Sequence, residues 1–531
     1  MLYATLVLLN GNIHTLCSKK PKAEAIAIFG EKIIHVGKNS EVKNFIGSQT
    51  KIIDLDGKTV LPGFTDCHVH LTTFGKKLKE LDFRNATSIE EIQEKIKEKA
   101  EKTSLGEWIV GYGWDHEKFV EKCLPTRYDL DQATTKHPVV IFRVCGHLCV
   151  VNSKALEICG ITNRTFHNFG KQIDRKPENG EPTGILFEKA LKIIKGALDK
   201  PSFEERVNTC LLACRKAVEA GLTSVHWIIE SSEELKAIQF LYRKGKLPLR
   251  VYILFSEKML DHILNLGLTS GFGNSMLKIG GLKLFADGSL GARTAALFKP
   301  YEDNQENNGM LIYSQTELNE LVLKAHKAGL QVAVHAIGDR AVNSVLDAFE
   351  NALKTDTHTQ NRHRIEHASV LNEKLIERIK KLNIIVSAQP HFIVSDFWIK
   401  DRLGEERAKW TYPLKSLLEA GIVVCGGSDC PVEPISPLLG IWACTAKFLY
   451  SRQRLTVDEA IRLYTVNAAY ASNEEKIKGT IEEGKLADLT VLSEDPFKIE
   501  PEKIKDIEVA MTIVGGKIVY SKEKLDYREI E

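Results

Sequence analysis

The chain has 531 residues, enough for two or three domains with a large core. Lys and Arg total 72 against 70 Asp and Glu, a net charge of +2, so no charge excess marks a nucleic-acid or polyanion binder. The eleven cysteines form no C-x-x-C pair and no regular spacing, which argues against a zinc knuckle or a disulfide framework and for reduced thiols in a cytoplasmic protein.

In chain order, the opening Met1 to Leu9 is apolar but carries no basic n-region and reads as a strand. No stretch is long and apolar enough for a membrane span. Residues 1 to 60 are short β-type runs between turn residues: Thr5 to Leu9, Asn10-Gly11, Ala25 to Phe29 and Ile33 to Val36. The C-terminus repeats that character with Leu489 to Leu492, Val509 to Val514 and Lys517 to Tyr520, the last two joined by Gly515-Gly516. Neither half buries a face alone, so residues 1–62 and 475–531 are expected to form one β-sandwich.

Between them, residues 63–474 alternate apolar strand-like runs with helical stretches. The runs are the segment ending at His68, then Leu222 to His226, Leu249 to Phe255, Met276 to Phe285, Leu330 to Ala336, His363 to His367, Asn383 to Ala388 and Ile422 to Ser428. Glu204 to Glu219, behind the Ser202-x-x-Glu205 capping box, and Ala341 to Leu353 read as helices. Eight such units make an α/β fold, a parallel (β/α)8 TIM barrel whose chemistry gathers at the C-terminal strand ends. The first gap is too long for one helix. It holds a capped helix, Ser88 to Lys102, and strands Trp108 to Tyr112 and Pro138 to Val144, so about residues 73–200 read as an α+β insertion after the first strand, over the barrel mouth.

Polar residues then cap the apolar runs. Leu61-Pro-Gly-Phe-Thr-Asp-Cys-His-Val-His ends with His68 and His70, which alternation places on one side of a strand. Lys283, His335, His367 and Asp429 end strands four, five, six and eight. Burying four imidazoles, a carboxylate and a lysine together is costly without a cation, so the set reads as a metal centre. Nitrogen and oxygen ligands without sulfur favour zinc, with manganese, iron or cobalt as alternatives. Trp114 in the insertion and Gln389, followed by His391, are candidate substrate contacts, and His226 a candidate supporting residue.

With those motifs together, and with Gly146-His-Leu, Glu181-Pro-Thr-Gly, Lys283-Leu-Phe-Ala-Asp-Gly-Ser, His335-Ala-Ile-Gly-Asp-Arg, Arg364-Ile-Glu-His and Gly427-Ser-Asp-Cys-Pro, the chain resembles the amidohydrolase superfamily, in the branch that includes N-substituted formamide deformylase. The resemblance implies a barrel flanked by a sandwich of both termini, one or two metal ions, and hydrolysis, typically of a C–N bond. It implies that His68, His70 and Asp429 hold one ion, His335 and His367 a second, and that Lys283 bridges them as a carbamate. It further implies that Asp429 is the catalytic carboxylate, taking a proton from a metal-activated water and passing it to the leaving nitrogen. His147 is the candidate oxyanion donor or substrate contact, against the alternative of a buried structural histidine beside Cys145 and Cys149. Cys430, where such sequences commonly have a small apolar residue after the aspartate, and Cys67, before the first ligand, are departures that read as packing thiols, with contact to a metal or inhibitor as the alternative.

Rival activities on the same site are ester, lactone or phosphoester hydrolysis and ring deamination. A catalytically silent binding or assembly protein would be expected to have lost ligands, and here all six positions are filled. The expected partner is a small-molecule substrate, with no nucleic acid and no membrane, and homo-oligomer formation is compatible with the sequence.

Overall fold

The computed structural model describes residues 3–145, 147–164, 172–198, 201–356, 362–447 and 450–523. The chain divides into two compact units, residues 75–209 and the remainder. No described helix is long and apolar enough to cross a membrane.

The larger unit contains the barrel. Its strands are β1 (Phe64–Val69), β2 (Leu222–Ile229), β3 (Arg250–Ser256), β4 (Leu277–Phe285), β5 (Gln331–Ala336), β6 (Arg364–His367), β7 (Ile385–Ala388) and β8 (Val424–Gly426). They pair in parallel in that order, and all eight fall where the apolar runs place them. Residues of β1 to β3 and β6 to β8 are buried along their whole length, as expected of strands covered on both faces. The ring closes just past β1 and β8: Asp429 N donates to His68 O at 2.8 Å and His70 N to Cys430 O at 2.8 Å. Gly427 permits this approach, since a Cβ there would sit 2.8 Å from the His68 nitrogen.

Helices Ser232–Arg243, Gln315–Lys327, Asp339–Thr355 and Glu373–Lys381 return the chain between strands. Ser314 starts the second of these with a full capping box, its hydroxyl and Glu317 satisfying each other's amides.

Both chain ends contribute to the flanking sandwich, the N-terminal one to both of its sheets and the C-terminal one to the larger. A four-stranded sheet runs Lys32–Gly37, Ala25–Phe29, Leu6–Leu9, Lys51–Asp54; a six-stranded one runs Lys517–Ser521, Val509–Val514, Leu489–Leu492, Thr59–Pro62, Asn12–His14, Lys22–Ala23. Leu8, Ile26 and Ile53 from the first meet Val60, Leu489 and Ile513 from the second in one buried cluster. Arg250, at the start of β3, ties the barrel to this sandwich through two hydrogen bonds to Asp488, 2.7 and 2.9 Å.

The unit of residues 75–209 has a six-stranded sheet in the order Ile173–Arg175, Pro182–Phe187, Leu148–Val151, Val139–Arg143, Ile109–Trp114, Leu81–Asp82. Helix Ile89–Glu101, capped by Ser88, packs on it through Ile92 and Ile96.

Candidate metal centre

Five sequence-picked groups meet at the C-terminal ends of β1, β5, β6 and β8. His68 Nε2 and His70 Nε2 each lie 3.4 Å from Asp429 Oδ1, and donor atoms of the three can all approach within 4.8 Å of one another. The His367 ring stands 5.0 Å from that of His68 and 4.4 Å from that of His335. His68, His70, His335, His367 and Asp429 line a cavity of about 320 Å³, walled by Thr73, Phe285, Pro431 and Val432.

The imidazole tautomers follow from their other contacts. His68 Nδ1 meets the Glu366 carboxylate, which can only accept, so Nδ1 carries the hydrogen and Nε2 presents its lone pair. His335 Nε2 donates to Gly288 O at 3.0 Å, leaving Nδ1 as its acceptor nitrogen. Burial lowers the pKa of His68, His335 and His367, the last to about 3, so all three are neutral ligands at pH 7. Burial alone would raise the Asp429 carboxyl, but the charges that His68 and His367 take on in acid, with a hydrogen bond from His70, outweigh it and hold the group well below the usual carboxylate range. His367 and Asp429 both have left-handed backbones, φ 74° and 56°, a strain that recurs at functional sites.

Lys283 is fully buried, and its Nζ has no hydrogen-bond partner among the described residues, lying 3.6 Å from the Phe285 ring centroid. Desolvation lowers its pKa to about 8. Two imidazole nitrogens and a carboxylate oxygen converging on one point, and a buried amine with nothing to bond among the described residues, are a donor set that fits a divalent cation.

Below the cavity lies a network that sequence reading missed. Glu366 takes His68 on Oε2 and Arg364 on both oxygens; Arg364 Nη1 donates to His226 Nδ1 at 2.7 Å, and Nη2 to Cys67 O at 2.5 Å. His226 thus has the supporting place expected of it. Glu366 sat in the quoted Arg-Ile-Glu-His motif, but only the register of β6 shows which imidazole it serves. Asp287, in the Lys283-Leu-Phe-Ala-Asp-Gly-Ser motif, is a buried carboxylate accepting amides of Ala296, Ile337 and Gly338 at 2.8 to 3.0 Å, and burial raises its pKa to about 7. Cys67 packs against Ile385, Cys425, Ala468 and Ala471, a packing thiol as expected.

The expected substrate contacts fare differently. Trp114 is a correction: it is 0% exposed in the core of its own unit, stacked on Phe119, because its face of the strand is the one that meets the packed interior. Gln389 is buried, donates to Ser387 O at 3.1 Å, and is not among the cavity-lining residues; neither is His391, which pairs with Glu433. His147 is exposed, not buried, with Nδ1 3.2 Å from Glu188 Oε2; Gly146 beside it lies outside the described residues.

The amidohydrolase family profile matches residues 51–520. The chain belongs to the amidohydrolase family. It is 38% identical to the Bacillus subtilis (strain 168) protein YtcJ, named as an amidohydrolase, over 96% of this chain and 98% of that one. It is 27% identical to N-substituted formamide deformylase of Arthrobacter pascens, over 97% and 98%. A solved metal-dependent hydrolase from Pyrococcus furiosus superposes with a TM-score of 0.79 at 36% identity, covering 93% of this chain and 100% of that one. This amidohydrolase is therefore a metal-dependent hydrolase.

Proposed function

We propose that this hydrolase cleaves the C–N bond of a small amide-type substrate at a centre of one or two zinc ions held by His68, His70, Lys283, His335, His367 and Asp429. The observation that carries this reading is the convergence of the His68 and His70 Nε2 atoms on Asp429 beside a buried, unpartnered Lys283. As an ammonium Lys283 would repel cations; as a carbamate it presents anionic oxygens able to bridge them, and we assign it that form. The bound ion would supply Lewis acidity, lowering the pKa of a water and polarising the scissile carbonyl.

The remaining chemistry belongs to the chain. Asp429, whose carboxyl lies well below the usual carboxylate range and is ionised at neutral pH, accepts a proton on a carboxylate oxygen and returns it to the leaving nitrogen. Glu366 holds His68 in the tautomer that keeps Nε2 available. Phe285, Pro431 and Val432 give the cavity an apolar wall that seats an apolar substituent.

The C–N preference is supported by the name of the formamide deformylase relative. Eleven cysteines without a C-x-x-C pair or a regular spacing support a reducing, cytoplasmic setting, and a net charge of +2 favours a small-molecule partner over nucleic acid. The test is elemental analysis with activity against N-acyl, N-formyl, cyclic-amide and ester compounds. One to two zinc ions per chain, amide turnover and its loss on chelation are expected. Full activity in metal-free protein would overturn the metal reading; turnover of esters alone would move the assignment to ester hydrolysis.

A further inference from the structure

Ser256 is the last residue of β3. Tyr252 and Leu254 of that strand are buried with Ile228 and Ala333 inside the barrel, and alternation puts Ser256 on the same inward face. Its register partner on β4 is Lys283, whose partner on the other side, on β5, is Ala333. Ser256 is 9% exposed, and its buried Oγ has no hydrogen-bond partner among the described residues; the same holds for Lys283 Nζ, at 0%. Two desolvated polar groups thus stand at one level on adjacent strands without bonding each other. An acceptor placed between them satisfies both, and at this level Ala333 offers no side-chain donor.

We propose that Ser256 is a positioning residue for the carboxylated form of Lys283, its hydroxyl donating a hydrogen bond to a carbamate oxygen. The proposal rests on the reading of Lys283 given above. In the modification the neutral Lys283 amine attacks the carbon of carbon dioxide. An N–C bond forms, one C=O π pair moves onto oxygen, and an amine proton leaves to water; no redox partner is needed. The addition is reversible, so what holds the product decides its occupancy. As register partners on adjacent strands, about 4.8 Å apart, Ser256 and Lys283 send their side chains side by side to the same inward face. The serine would hold one oxygen by a charge-assisted hydrogen bond and leave the rest of the carbamate to face a cation.

The experiment equilibrates wild-type holoenzyme, Ser256→Ala and Ser256→Thr with ¹³C-bicarbonate, and reads the carbamate carbon by NMR and bound metal by elemental analysis. Wild type should show one labelled lysine. Ser256→Ala should need about ten- to a hundred-fold more bicarbonate for half-labelling, the loss expected of one hydrogen bond to an anion, and should hold less metal at ambient carbon dioxide. Ser256→Thr, which keeps the hydroxyl, should stay near wild type. Equal bicarbonate dependence in wild type and Ser256→Ala would overturn the role of Ser256 while leaving the carbamate in place. No label in wild type would remove both, and would assign the space to an ordered water. Should Ser256→Ala fail to fold, Ser256→Cys, near-isosteric and a weak donor, replaces it with the same outcomes.

Discussion

Replacing Glu366 with glutamine tests how the barrel holds its first imidazole. Glu366 is fully buried, accepts the Nδ1 hydrogen of His68 and receives Arg364 on both oxygens. Glutamine keeps the volume and removes the charge, which separates two effects. Arg364, also fully buried, loses its counter-charge, and breaking a buried pair from one side costs about 3–5 kcal/mol of stability. His68 loses the anionic acceptor that fixes its tautomer, and loss of such support weakens metal binding about 10- to 100-fold. Chelator competition measures the second effect and urea unfolding the first, on the same samples. Adding Arg364→Met to Glu366→Gln removes the stranded cation. Most of the stability should then return while metal affinity stays low. A folded Glu366→Gln protein that binds metal as tightly as wild type would refute the role given to Glu366, and recovery of affinity in the double variant would show that it acts only through the fold.

Three further outcomes follow from the same contacts. Lys283→Ala should lose much of its metal and activity, and short carboxylic acids added in solution should restore part of both where arginine or glutamine replacements do not; unchanged metal content in Lys283→Ala would show a site without this residue. His363 is buried against His326 and accepts the Val332 amide at 3.0 Å, and burial, then His326, lowers its pKa to about 3. Because the unfolded chain protonates first, its stabilisation is full above about pH 6.5 and fades as pH falls toward 3, by about 2 kcal/mol at pH 5. Urea midpoints at pH 7.5 and 5 check this, and His363→Asn, which keeps an acceptor for Val332, should flatten the slope. Asp488→Ala strands Arg250, 2% exposed, and should cost about 3–5 kcal/mol in urea unfolding with metal content unchanged; an unshifted midpoint would mean the guanidinium finds water.

Much of this architecture is written locally. A strand buried on both faces must be apolar along its length, so β1 to β8 stand out as runs, and a polar residue that ends such a run has few places to go but the mouth of the barrel; that made His68, His70, Lys283, His335, His367 and Asp429 legible in the sequence. The terminal sheets were legible because short alternating strands cannot bury a face alone, though the sequence left open which strand of one end pairs with which of the other; Leu489–Leu492 pairs with Thr59–Pro62. What tertiary structure decided is everything that depends on register across strands far apart in the chain. Glu366 serves His68 across 298 positions, and Ser256 meets Lys283, only because the barrel brings those levels together. Which nitrogen of each imidazole is free depends on the contact made by the other one, as with His335 on Gly288 O. Trp114 shows the limit from the other side: an aromatic at a strand end looks the same in sequence whether its face meets a cavity or a core, and the packing around Phe119 settled it.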